Sequence, residues 1–177
     1  MVKFAVFGSS VVARLNTFCT GDMKNRGECN CFGLGGMKAE YVFDSLLVKL
    51  RLYAPDVVFI HIGANDISKD CSCKTICENI QSLVGEIYKA GAKVVFDAEI
   101  CQKGNFIKAP RLTFQTYKNS INSTLQKLFG DSFVKYKNIC FPGDFDKDWV
   151  HFSPFRMKKY FFRIRRIFHF ISVVIKY

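Results

Sequence analysis

The sequence predicts an α/β protein, a parallel sheet with helices packed on both of its faces. Three observations point there. Short runs rich in β-branched and aromatic residues alternate with longer stretches whose apolar residues recur at helical spacing. The run DVVFIHI at 56–62 is apolar almost without interruption after Asp56, as a strand covered on both faces must be. Pro55, Gly63, Gly91 and Gly130 punctuate the alternation. Strands that alternate with helices pair in parallel, because each helix carries the chain back to the start of the sheet.

The first strand is expected over Val2–Phe7, followed by a short helix from Ser9 or Ser10 to about Thr17. Residues 18–30 are polar, contain Gly21 and Gly27, and read as a loop. A second short strand is expected near Cys31 and Phe32, before the glycines of GLGG. From Lys38 to Tyr53, Val42, Leu46 and Leu50 recur at four-residue steps beside Phe43 and Leu47, which is one face of a helix that Pro55 ends. The strand at 56–62 follows. Ile76, Ile80, Leu83, Val84 and Ile87 mark a helix closed by Gly91. Lys93–Phe96 is the next strand, and residues 98–110 form a loop. Tyr117, Ile121, Leu125 and Leu128 mark a helix closed by Gly130. A last short strand is expected at 138–141. After Pro154 a final helix, about 155–174, puts Tyr160, Ile164, Ile167, Phe168 and Ile171 on one face.

A chain of 177 residues suits one domain spanning 1–177, and 49% apolar content excludes a disordered chain. No stretch reaches the roughly 18 consecutive apolar residues of a spanning helix, so no transmembrane segment is expected. The opening MVKFAVFGSS reads as a strand and turn rather than a signal peptide, which sets an intracellular, cytoplasmic location as the expectation. Eight cysteines then read as reduced thiols, and their CxC and CxCxxxC spacings match no common zinc motif. The formal charge is +11, and its excess is concentrated at the end: Arg156–Tyr177 holds seven Lys/Arg and no acidic residue. Weak contact of this basic tail with nucleic acid or an anionic membrane surface is one expectation, and a merely solvated face is the plainer one.

Three interruptions fall where strands end: GSS at 8–10, GLGG at 33–36 and GAND at 63–66. In a parallel sheet all three share the carboxyl rim, where sites form. A serine opening a helix gains from the positive end of the helix dipole and turns its N–H toward an incoming anion. Gly36 adds an N–H that no side chain shields, and Asn65 adds a side-chain N–H. Together these are donors for an oxyanion. A nucleophilic serine also needs a base. Of the three histidines, His61 lies inside the apolar strand and His169 inside the basic helix, while His151 sits in DKDWVHFSP. Asp148, three residues earlier, is spaced to turn back and hold the imidazole; Asp144 and Asp146 are spaced less well. Each piece has a plain reading on its own: GSS as a capped turn, GAND as a turn with Asp66 bonding nearby backbone, DWVH as a surface loop. Folding alone does not require the combination.

The segments GSSxxxxL, GG, GAND and DWVH resemble, in that order, the four blocks of the SGNH hydrolases, also called the GDSL esterase/lipase family. The resemblance implies a flavodoxin-like three-layer α/β/α sandwich around a central five-stranded parallel sheet. It implies Ser10 as nucleophile, His151 as general base and Asp148 as the residue orienting it. The oxyanion hole would be the Ser10 N–H, the Gly36 N–H and the Asn65 side chain. It implies a small acyl or acetyl ester as substrate and no cofactor. The family's first block is usually Gly-Asp-Ser; here Ser9 stands in place of the Asp, which opens the choice between Ser9 and Ser10, and the third place of the triplet is Ser10. A looser similarity is to esterase-like domains of animal mobile elements. The rival function is a catalytically impaired module of the same fold that binds nucleic acid or an anionic partner through its basic tail.

Overall fold

The computed structural model describes residues 1–23, 27–42, 44–101, 103–104, 109–136, 139 and 141–174. Five strands, β1 (Lys3–Gly8), β2 (Glu28–Gly33), β3 (Val57–His61), β4 (Val94–Ala98) and β5 (Phe133–Val134), form one sheet. Their order is β2-β1-β3-β4-β5, and every neighbouring pair is parallel. The helices are α1 (Ser10–Phe18), α2 (Asp44–Tyr53), α3 (Cys73–Lys89), α4 (Arg111–Phe129) and α5 (Pro154–Val174). This is the flavodoxin-like strand order.

The three layers follow from the two-residue period of a strand. Ala5 and Phe7 of β1 join Leu50 of α2, Ile76 and Ile80 of α3 and Ile121 of α4 in one core. Phe4 and Val6 turn to the other face, against Val12 and Leu15 of α1 and Tyr160, Ile164 and Phe168 of α5. All five residues of β3 are buried, as its unbroken apolar run requires. From β1 the sheet grows toward β2 on one side and through β3 toward β5 on the other, so the topological switch point lies at the carboxyl ends of β1 and β3. Gly33 permits a close approach there: a Cβ on it would stand 2.3 Å from the Ala13 nitrogen, so α1 rests on bare backbone at the end of β2.

Several boundaries differ from the sequence reading. The fifth strand is Phe133–Val134, not 138–141; of the latter residues, 138 and 140 lie outside the described residues, and 139 and 141 are in no strand. β2 begins earlier, at Glu28. The helix expected from Lys38 starts at Asp44, because the N–H groups of Ala39 and Glu40 donate to the buried Asp66 carboxylate at 3.1 and 3.2 Å and hold that segment out of helical geometry. GLGG is thus separated from the helix it was expected to precede. The final helix solvates most of its cations, but Arg156 is buried, with Nη1 3.9 Å from Asp144 and the guanidinium over the Phe152 ring.

Candidate active site

Ser10 is the first residue of α1, directly beyond β1 and its cap Ser9. The Ser9 N–H donates to the His61 carbonyl at 3.1 Å, which ties the nucleophile turn to the end of β3. Ser9 makes no side-chain capping bond, so the helix start does not consume either hydroxyl as a cap. The Ser10 Oγ lies 2.8 Å from His151 Nε2.

His151 reaches this point on a short hairpin. Phe145 and Phe152 form an antiparallel bridge, and the Asp146 N–H donates to the His151 carbonyl at 2.8 Å. The turn between them passes through Trp149 at φ 55. Asp148 turns back within it. Its Oδ1 accepts the backbone N–H groups of Val150 and His151 at 2.9 and 3.0 Å, and its Oδ2 lies 2.7 Å from His151 Nδ1. Partial burial alone would raise the Asp148 carboxyl; the hydrogen bonds from His151 and Val150 outweigh it and hold the group well below the usual carboxylate range. Arg14 completes the arrangement from α1, one turn beyond Ser10. Its Nη2 donates to the same Asp148 Oδ2 at 2.9 Å and its Nη1 to Asp146 at 3.4 Å. One helix therefore meets the histidine with Ser10 and the carboxylate behind it with Arg14.

Ser10 and Asn65, two of the donors expected for an oxyanion, meet in one cleft, and hydrogen bonds tie the segment of the third, Gly36, to both of theirs. The Leu34 N–H donates to the Gly8 carbonyl at 3.1 Å, which fastens the GLGG segment to the end of β1. Gly36 then takes φ +74 in a turn whose Met37 N–H reaches back to Leu34 at 3.4 Å, the third-position conformation of a type II turn. Asn65 donates one of its two amide hydrogens to the Met37 carbonyl at 3.1 Å, so the GLGG and GAND segments are bonded to each other. Asn65, Ser9 and Ser10 line one cleft of about 30 Å³, walled by Val11, Val150 and Phe152. Gly36 itself does not line that cleft.

Three further residues in the cleft went unrecognised in the sequence. His61, which the sequence places inside the apolar strand, is buried with Nδ1 3.0 Å from the Tyr160 hydroxyl, and the residue also lines the cleft. Burial pushes its pKa down to about 4, so the ring is neutral at pH 7. Lys103 Nζ donates to the Ala64 carbonyl at 3.2 Å beside Asn65, and Cys101 is a free thiol in the wall. None carried a spacing signal, because each reaches the cleft through tertiary contacts. Among the described residues no group of three or more His, Cys, Asp or Glu side chains is arranged to hold a metal ion.

No protein-family model and no curated protein matches the chain. Solved structures do. A lipase/acylhydrolase from Enterococcus faecalis aligns with a TM-score of 0.67 at 19% identity, over 94% of this chain and 94% of that one. The psychrotrophic esterase EstA from a Pseudoalteromonas species aligns at 0.68 and 15% identity, over 98% and 99%. A GDSL-like lipase from Bacteroides thetaiotaomicron aligns at 0.66 and 17%, over 91% and 85%. The chain shares their fold. At these identities the likeness speaks for the architecture, and the chemistry must be argued from the side chains.

Proposed function

We propose that the protein is a serine ester hydrolase of the SGNH type that cleaves a small acyl or acetyl ester. The observation that carries this reading is the unbroken hydrogen-bond chain from Asp148 through His151 to Ser10, with contacts of 2.7 and 2.8 Å. An ionised Asp148 accepts a hydrogen bond from the Nδ1–H and leaves the Nε2 lone pair facing the Ser10 hydroxyl. Ser10 Oγ attacks the ester carbonyl carbon as its proton passes to Nε2. The carbonyl oxygen becomes an oxyanion, held by the Ser10 N–H at the positive end of α1, the Gly36 N–H and the second Asn65 amide hydrogen. The intermediate collapses, the bond to the alcohol breaks, and His151 hands the alcohol its proton. Water then attacks the acyl-enzyme by the same path and frees Ser10. A cleft of about 30 Å³ has room for about one or two waters, which favours a short acyl group. The names of the structural neighbours, esterases and acylhydrolases, agree with this chemistry.

The test is labelling by a fluorophosphonate probe together with hydrolysis of p-nitrophenyl acetate. The wild-type protein is expected to take the label on Ser10 and to turn over the ester, and Ser10→Ala to lose both. A folded Ser10→Ala protein that keeps its turnover refutes the nucleophile, and a wild-type protein that takes no label and cleaves no ester refutes the enzyme.

A further inference from the structure

The outward face of α5 takes no part in the chemistry above. Its centre is apolar: Phe155 is 64% and Phe162 48% exposed, and Val173 continues the line. At about 100° per residue these three project within about 20° of one another, a ridge running nearly the length of the helix. Arg166 projects about 20° from Phe155 and so interrupts this line between Phe162 and Val173; Lys158 and Arg165 stand on one side of the line and Lys159 and Arg163 on the other. The helix contains no acidic residue.

A groove runs along each flank. One, about 330 Å³, lies between α5 and the end of α1, with Phe18, Phe161 and Phe162 inside and Lys158 and Arg165 bordering it. The other, about 540 Å³, lies between α5 and β4, with Phe96, Ile167 and Phe170 inside and Arg163 and Arg166 bordering it. Each contains one acid, Asp22 or Asp131, against its two cations.

We propose that this face of α5 docks on an anionic phospholipid bilayer. An apolar ridge flanked by long cationic side chains is the form of a helix that lies in a membrane interface: the ridge enters the headgroup–acyl boundary while lysine and arginine stems spread over apolar surface and carry their charges to the phosphates. The grooves extend the same pairing, apolar within and cationic at the border. Single-stranded RNA fits less well. It calls for a basic track with aromatic rings on which successive bases stack, whereas this line ends in aliphatic Val173, 43% exposed. The face does not span: no helix among the described residues is long and apolar enough to cross a membrane. The docking does not depend on the hydrolase reading.

The experiment is sedimentation of the full chain with vesicles of equal parts phosphatidylcholine and phosphatidylserine, against vesicles of phosphatidylcholine alone. Binding is expected only to the anionic vesicles. Arg163→Gln with Arg166→Gln is expected to weaken it about thirtyfold, the effect of removing two surface-facing cations. Phe155→Ser with Phe162→Ser is expected to weaken it at least as much while the unfolding transition stays that of the wild type. Equal binding to both vesicles, no binding to either, or binding that the phenylalanine pair leaves unchanged overturns the proposal. So does a single-stranded RNA oligonucleotide held more tightly than the anionic vesicles at the same salt.

Discussion

Asp97 gives a stability prediction that can be worked from its surroundings. It lies on β4 in register between Ile60 of β3 and Phe133 of β5, facing the core formed with α3 and α4. It is 0% exposed, and among the described residues neither carboxyl oxygen has a hydrogen-bond partner. Burial raises its pKa well above the usual 3.8. The unfolded chain therefore releases this proton near its ordinary value while the folded chain retains it. Between the two pKa values the folded state binds more protons, and stability falls as pH rises, by about 1.4 kcal/mol per pH unit. Below the unfolded value the charge penalty is gone, and an unpartnered neutral carboxyl still costs about 1–3 kcal/mol. Asp97→Val removes both terms and suits a buried parallel strand. It is expected to gain about 1–3 kcal/mol at pH 4, or at least about 2 °C in Tm for a chain of this size. Above pH 4 the gain should widen with pH. Asp97→Asn is expected to lose the slope but keep the cost of an unsatisfied polar group. Urea unfolding of all three proteins between pH 4 and 6 tests this. Parallel curves for the wild type and Asp97→Val would refute the buried, unpartnered carboxyl.

The other predictions concern the site. Asn65→Ala should lower kcat about a hundred- to a thousandfold on p-nitrophenyl acetate, the effect of losing one oxyanion donor, while fluorophosphonate still labels Ser10 slowly. Arg14→Gln should be mild: the Arg14 and Asp148 side chains are 43% and 39% exposed, so solvent screens the pair. A loss of about 0.2–1 kcal/mol corresponds to about one and a half- to fivefold in kcat, shrinking as salt is raised. Gly33→Ala should destabilise the fold by about 1–3 kcal/mol, because its methyl group would enter the Ala13 backbone. It should also lower ester hydrolysis, because the displaced helix carries Ser10; unfolding curves and turnover measured on one preparation check both effects.

What could be read from the sequence and what could not separate along one physical line. The buried run at 56–62 announced itself because its environment is uniform, and the helices of the α3 and α4 regions because their apolar period is regular. β5 has two residues, too few for any period, and β2 alternates polar with partly buried positions from Glu28, so only its middle was legible. The late start of α2 could not be read at all, since a carboxylate 26 and 27 residues along the chain claims the N–H groups involved. The candidate site was legible for the opposite reason: each block is local, and the parallel topology collects strand ends at one rim without further instruction. The acids of the His151 hairpin show the boundary. Asp144, Asp146 and Asp148 are chemically alike and two residues apart, yet they differ in partner: Asp144 lies near Arg156, Asp146 accepts from Arg14, and Asp148 meets His151. Only the last pairing is written in local spacing, because an i, i+3 carboxylate and imidazole can meet within one turn of chain. The role of Arg14 depends on α1 lying over the end of β2, a contact set by the missing side chain of Gly33. A residue whose partner is fixed by layer packing leaves no trace in its own neighbourhood of sequence. That is why the Ser10, His151 and Asp148 triplet could be read from spacing and family likeness, and its arginine brace could not.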